Sequence, residues 1–121
     1  IGGANLSSGG ITFYSNHVSY GAGSHKGVVP TGGISLNTWH HVAVTINSSN
    51  SQFKIYFDGS NELTYTATLP QSTAAELWIG AGRINGASNP GLYFHGQVDQ
   101  VFVTQTLLSD SEISTIYNAG R

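Results

Sequence analysis

Apolar side chains recur with strand-like spacing through most of the chain, weakly in the first third and sharply afterwards. From His40 to Ile46, Val42, Val44 and Ile46 alternate with His41, Ala43 and Thr45, the period-two pattern of a half-buried strand. A turn over Asn47 to Asn50 follows. Gln52 to Phe57 repeats the alternation, with Phe53, Ile55 and Phe57 on one face and Lys54 and Tyr56 on the other, and Asp58-Gly59 closes it with a strong turn signal. Glu62 to Leu69 reads as the returning arm of a hairpin, its threonines 64, 66 and 68 opposite Leu63, Tyr65, Ala67 and Leu69. Pro70, with no amide hydrogen to give, stops that ladder. Ahead of these segments, Ile11 to Tyr20 predicts one or two strands. Beyond them, Leu77 to Gly80 predicts a short strand, Ala81 to Gly91 a loop, and Tyr93 to Thr104 a long strand interrupted at Gly96 by a bulge or a close backbone approach. The chain then changes period. Ser109-x-x-Glu112 is a capping box, and Ile113, Ile116 and Tyr117 form one apolar stripe, predicting a short helix that ends near Asn118 and Gly120.

Some seven short strands and one docking helix within 121 residues predict a single all-β domain over 1–121, an antiparallel two-sheet sandwich with a short C-terminal helix. Charge narrows the partners. Only 8% of residues are charged and the formal net charge is −2, so Lys26, Lys54, Arg83 and Arg121 draw no basic patch and nucleic acid is not an expected partner. Neutral polar residues carry the surface instead, led by 16 Gly together with Ser, Thr and Asn, while 39% hydrophobic content is too apolar for a disordered chain. With no Cys there is neither a disulfide nor a thiolate metal site. No apolar run approaches the roughly 18 to 20 residues that span a bilayer, so membrane insertion is not expected. The opening at Ile1 fits a processed product or a segment of a longer polypeptide.

Five segments in order carry a resemblance: Thr38-Trp39-His40-His41-Val42-Ala43-Val44-Thr45, Lys54-Ile55-Tyr56-Phe57-Asp58-Gly59, Leu77-Trp78-Ile79-Gly80, Phe94-His95-Gly96-Gln97-Val98-Asp99-Gln100-Val101, and Leu108-Ser109 with Glu112-Ile113. Together they are similar to the laminin-G-like domains of the concanavalin A-like lectin/glucanase superfamily. That resemblance implies a jelly roll of two curved antiparallel sheets and places Trp39 in the core. Members of the family carry more strands before the Trp-His-His-Val segment than the 37 residues preceding Thr38 can supply. The implied alternatives are a piece of a larger domain, or a sheet edge completed by a neighbouring chain or a second copy, because an open strand edge invites pairing.

The glucanase kinship calls first for a pair of catalytic carboxylates, about 5 Å apart in retaining enzymes and farther apart in inverting ones. Asp58, Glu62, Glu76, Asp99, Asp110 and Glu112 supply no Glu-x-Asp pair, and several belong to turns or the helix start. A lyase would draw on His40, His41, His95, Tyr93 and Arg83, but His40 and His41 are strand neighbours that point to opposite faces. The plainer reading has one of them packed inward with a bonded nitrogen and the other exposed. Asp99 is expected mid-strand beside Val101 and Val103, where a carboxylate needs a bond, an ion pair or a metal. The family resemblance offers calcium there as a cofactor; loop amides or a neighbouring His or Tyr are the structural alternative. For glycan binding, Trp78, Tyr14, Tyr20 and Tyr93 are the candidate platforms, since a sugar's C–H face stacks on a flat ring. Arg83, Asn85 and Asn89 could supply polar contacts, and Trp78 could equally cover another part of the fold or a neighbouring chain. The expectation is an extracellular, non-catalytic module that recognises glycans or a glycosylated surface. A structural protein assembling into a fibre or virion shell is the second reading, and a polysaccharide-degrading enzyme the third.

Overall fold

A computed structural model describes residues 10–13, 16–22, 24–66, 79–83 and 90–120. Strands β1 (Gly10–Phe13), β2 (Val18–Ala22) and β3 (Ser24–Val28) form an antiparallel meander with β2 in the middle. Strands β4 (Val42–Asn47), β5 (Gln52–Phe57) and β6 (Ser60–Thr66) form a second one with β5 in the middle. The two sheets meet in one core: Val18 and Tyr20 of β2 pack with Phe53, Ile55 and Phe57 of β5, and Val42, Val44, Leu63 and Tyr65 close round them. The alternation read from sequence thus sets which face is buried. Tilted ring contacts add shape to the core, with centroids 4.9 Å apart for Tyr20 and Phe53 and 5.6 Å for Phe53 and Tyr65. The Lys26 ammonium sits 4.9 Å from the Tyr65 ring centroid and links β3 to β6.

Turn chemistry fixes the registers. Asp58 and Gly59 both adopt positive φ, 47° and 78°, the twist that suits a two-residue hairpin loop. A bulge opposite Ile55 and Tyr56 leaves Glu62 out of the β5–β6 ladder. Its carboxylate accepts the Thr31 N–H at 3.1 Å and the Thr31 hydroxyl at 3.0 Å, tying the segment after β3 to β6. Helix α1 (Asp110–Ala119) starts at the Ser109 capping box, buries Ile113, and ends at Gly120. Tyr117 lies directly over Gly59, where an added Cβ would stand 2.7 Å from the ring.

Several expectations are corrected. Ile11 to Tyr20 carries two strands, within the expected one or two, but a third, β3, which the pattern does not announce, follows at once. The Ala81 to Gly91 loop contains strand β7 (Ala81–Arg83) and the start of β8 (Pro90–Tyr93), paired as a hairpin. The long strand from Tyr93 to Thr104 is absent beyond Tyr93, because β8 finds a partner only in β7 and nothing continues the ladder among the described residues. Val101, Phe102 and Val103 consequently stand 52%, 67% and 72% exposed. Gly96 does mark a close approach, by the Phe94 ring, which a Cβ at residue 96 would meet at 2.7 Å. Ile79 and Gly80 form a bend rather than a strand, with the Gly80 carbonyl accepting the Phe94 N–H at 2.8 Å; Leu77 and Trp78 lie outside the described residues. Trp39, expected inside, is 63% exposed, since it precedes β4 in irregular backbone where no pleat turns it toward the core.

Candidate functional site

The polar face of β4 and β5 is where the side chains converge. Pairing sets Thr45 against Lys54, Asn47 against Gln52 and Ala43 against Tyr56, so five of these six outward positions carry a hydroxyl, amide or ammonium. The segment leading into α1 runs across them. Between the two lies a cleft of about 590 Å³, floored by Thr45, Asn47, Gln52, Lys54 and Tyr56 and walled by Leu107 to Ser111. That volume falls in the range of small-molecule sites, ~300–1,000 Å³.

Asp110 organises the cleft. Its Oδ1 accepts the Lys54 ammonium at 2.7 Å and the Tyr56 hydroxyl at 2.8 Å. The Lys54 contact is the main cause holding the Asp110 carboxyl below its usual pKa, and the same hydrogen bond raises the lysine. Tyr56, fully buried beneath the helix start, is pushed up chiefly by desolvation. Glu112 is also lowered, first by the Ser109 N–H and then by the Ser109 hydroxyl. The amide groups are less committed. Asn47 Oδ1 accepts the Ser49 N–H at 3.0 Å, whereas its Nδ2 and the whole Gln52 amide have no partner among the described residues.

The histidine pair does lie on opposite sides. His40 stacks against Phe57 with centroids 4.7 Å apart, and His41 against Tyr117 at 5.9 Å. His40 Nδ1 is 2.8 Å from Asp58 Oδ2 and its Nε2 is 3.1 Å from the Ser35 carbonyl oxygen, which leaves neither nitrogen for a bound ligand. The other Asp58 oxygen accepts the His41 N–H at 2.9 Å. This is a structural knot at the hairpin turn. His41 is not the exposed partner expected: α1 half-buries it, its Nδ1 is buried without a hydrogen bond, and desolvation lowers its pKa against a weaker opposing pull from Asp58.

The predicted platforms scatter. Tyr20 is corrected to a core residue, because the β2 pleat turns it with Val18 toward β5, and burial raises its pKa. Tyr93 is 65% exposed at the end of β8, paired with Ala81, while Arg83 closes the other end of the same hairpin. Tyr14, Trp78, Asn85 and Asn89 lie outside the described residues. Asp99, expected within a strand, lies instead in exposed irregular backbone, and its Oδ1 accepts the N–H of Gln100, itself at φ 52°. Among the described residues no three His, Asp or Glu groups gather as a metal site, and no helix is long and apolar enough to cross a membrane.

The laminin G family model Laminin_G_3, described as the concanavalin A-like lectin/glucanases superfamily, matches residues 3–114. The chain belongs to this family. The sandwich of antiparallel sheets with one short C-terminal helix is therefore a laminin-G-like one. No match to the chain was found among curated proteins. A solved structure with the same fold is that of an S-layer domain-containing protein from Clostridium thermocellum, with TM-score 0.61 and 23% identity, covering 84% of this chain and 51% of that one. The laminin-G-like chain thus spans about half the length of that solved chain.

Proposed function

We propose that this laminin-G-like domain is a non-catalytic recognition module acting outside the cell, with glycans or a glycosylated surface as its target. The observation that carries the reading is the cleft on β4 and β5, where hydroxyl, amide and ammonium groups face one space beside an apolar wall. Such a set suits a ligand that both donates and accepts hydrogen bonds while offering a C–H face. It offers little to hydrolysis: the His40–Asp58 contact is closed off by Ser35, and Asp110 is held ionised by Lys54 and Tyr56. A glycan array followed by titration with tryptophan fluorescence tests the reading, and saturable binding is expected. A flat response across the array sinks it.

A second reading, assembly with further chains at a cell surface, is favoured by a separate observation. Val101 to Val103 and Trp39 expose apolar side chains in quantity, as association surfaces do. The solved relative is described as an S-layer domain-containing protein, a setting that agrees with this reading, although at 23% identity the likeness reaches only to the fold. Light scattering across a dilution series separates the two readings, since assembly requires a mass above one chain.

A further inference from the structure

Resting on the recognition reading, we infer that the cleft between β4–β5 and the segment entering α1 is the ligand site, and that it selects neutral sugars over acidic ones. Charge decides the class. Among the described residues the cleft holds one cation and one carboxylate, Lys54 and Asp110, already joined at 2.7 Å, so none of them leaves a free positive charge for a uronate, sulfate or sialate. The start of α1, which would otherwise attract an anion, is closed in the same way: Ser109 accepts the Glu112 N–H, Glu112 returns to the Ser109 N–H at 2.8 Å, and Asp110 and Glu112 place two carboxylates in the first turn. An acidic ligand would meet repulsion there.

What remains uncommitted is two-sided and, with Lys54 neutralised by Asp110, carries no net charge. Gln52 offers a donor and an acceptor, Asn47 Nδ2 offers a donor, and Lys54 has two N–H groups beyond the one given to Asp110. Asn47 and Gln52 stand directly opposite each other in the β4–β5 ladder, which brings their side chains about 4.5–5.5 Å apart at Cβ. Adjacent hydroxyls of a sugar ring can bridge such a pair, each accepting from one amide and donating to another. Leu107, half-exposed on the opposite wall, gives the ring's C–H face an apolar surface. Asn47 and Gln52 are half-buried, so a ligand that covers them without pairing their amides loses affinity.

The test is a titration of the isotopically labelled domain with neutral tetrasaccharides of glucose, mannose, galactose and N-acetylglucosamine, and with uronate and sulfated tetrasaccharides, read by NMR. Neutral tetrasaccharides should shift the side-chain amide signals of Asn47 and Gln52, and Gln52→Ala should weaken that binding about tenfold with an unchanged melting temperature. Binding of the acidic set alone, or binding of any sugar that leaves both amide signals and the Gln52→Ala affinity unmoved, overturns this inference while the recognition reading stands. If no tetrasaccharide binds and the glycan array is also flat, both fall together.

Discussion

Replacing Gly59 should be costly for a half-buried turn position, because two independent demands meet there. The first is backbone. Gly59 holds φ at 78°, and an L side chain in that left-handed region costs roughly 1–2 kcal/mol. The second is space. A Cβ would lie 2.7 Å from Tyr117 Cδ1 and 3.0 Å from both its Cβ and Cγ. A rotamer change can swing Cγ and the ring aside but leaves the Tyr117 Cβ where it is, so α1 itself must shift to relieve that contact. Overpacking of that kind costs about 1–3 kcal/mol. Gly59→Ala should therefore destabilise by about 2–5 kcal/mol.

Urea unfolding followed by far-UV circular dichroism, in a cycle with Tyr117→Ala, divides the two parts. In the Tyr117→Ala background the ring contacts are gone while the Cβ of residue 117 stays at 3.0 Å, so the cost should fall clearly toward, but not below, the backbone part of about 1–2 kcal/mol. Gly59→Asn gives a second handle, since Asn tolerates positive φ but still carries a Cβ; it should recover the backbone part and keep the steric one. Equal costs for Gly59→Ala in both backgrounds, or a cost below about 1 kcal/mol in the parent, would refute the claim that the helix is seated on this turn.

Other expectations follow from the same contacts. Ile55→Ala removes a fully buried side chain between the sheets and should cost about 2–5 kcal/mol in the same unfolding assay. Ser109→Ala breaks the capping box and should cost about 1 kcal/mol, read from urea midpoints at constant slope. Burial keeps the folded-state pKa of His41 below the ordinary imidazole value, so as the pH drops the unfolded chain binds a proton first. Stability is then full above about pH 6.5 and declines as the pH falls toward the folded-state value. His41→Phe, which keeps a ring against Tyr117, should lessen the fall of melting temperature below about pH 6.5; an undiminished slope in that variant contradicts the assignment.

Legibility in the sequence followed whether a segment carries its own constraint. Gln52 to Phe57 needed only its alternation, and β5 occupies those residues. Ser109 and Glu112 cap their helix through bonds three residues apart, and Asp58-Gly59 makes its turn from its own backbone preferences. Segments that depend on a distant partner were misread. Tyr93 to Thr104 alternates well enough to pair, but pairing also needs an open neighbour, and the ladder on β7 is spent by Tyr93. Tyr20 was placed at a surface by its glycine-rich neighbours, whereas the sheet opposite decides its burial. The resemblance placed Trp39 inside, yet the pleat that would turn it inward begins only at Val42.

The candidate site was missed for a related reason. Its floor was visible as the polar half of each alternation, Thr45 and Asn47 on one strand, Gln52 and Lys54 on the next, but polar outward positions are what any solvated sheet face shows. An aromatic residue, by contrast, announces a platform with a single ring. What converts an ordinary polar face into a cleft is Asp110, 54 residues beyond Tyr56 in sequence, which accepts from both Lys54 and Tyr56. Asp110 can reach them only because α1 is anchored at its far end by Tyr117 on Gly59 and in its middle by buried Ile113. The turn at Asp58-Gly59 and the cleft are thus two ends of one docking event. A substitution that lifts the helix from the turn should therefore also loosen the wall of the cleft, and sugar affinity in Gly59→Ala should fall although no cleft residue has been touched.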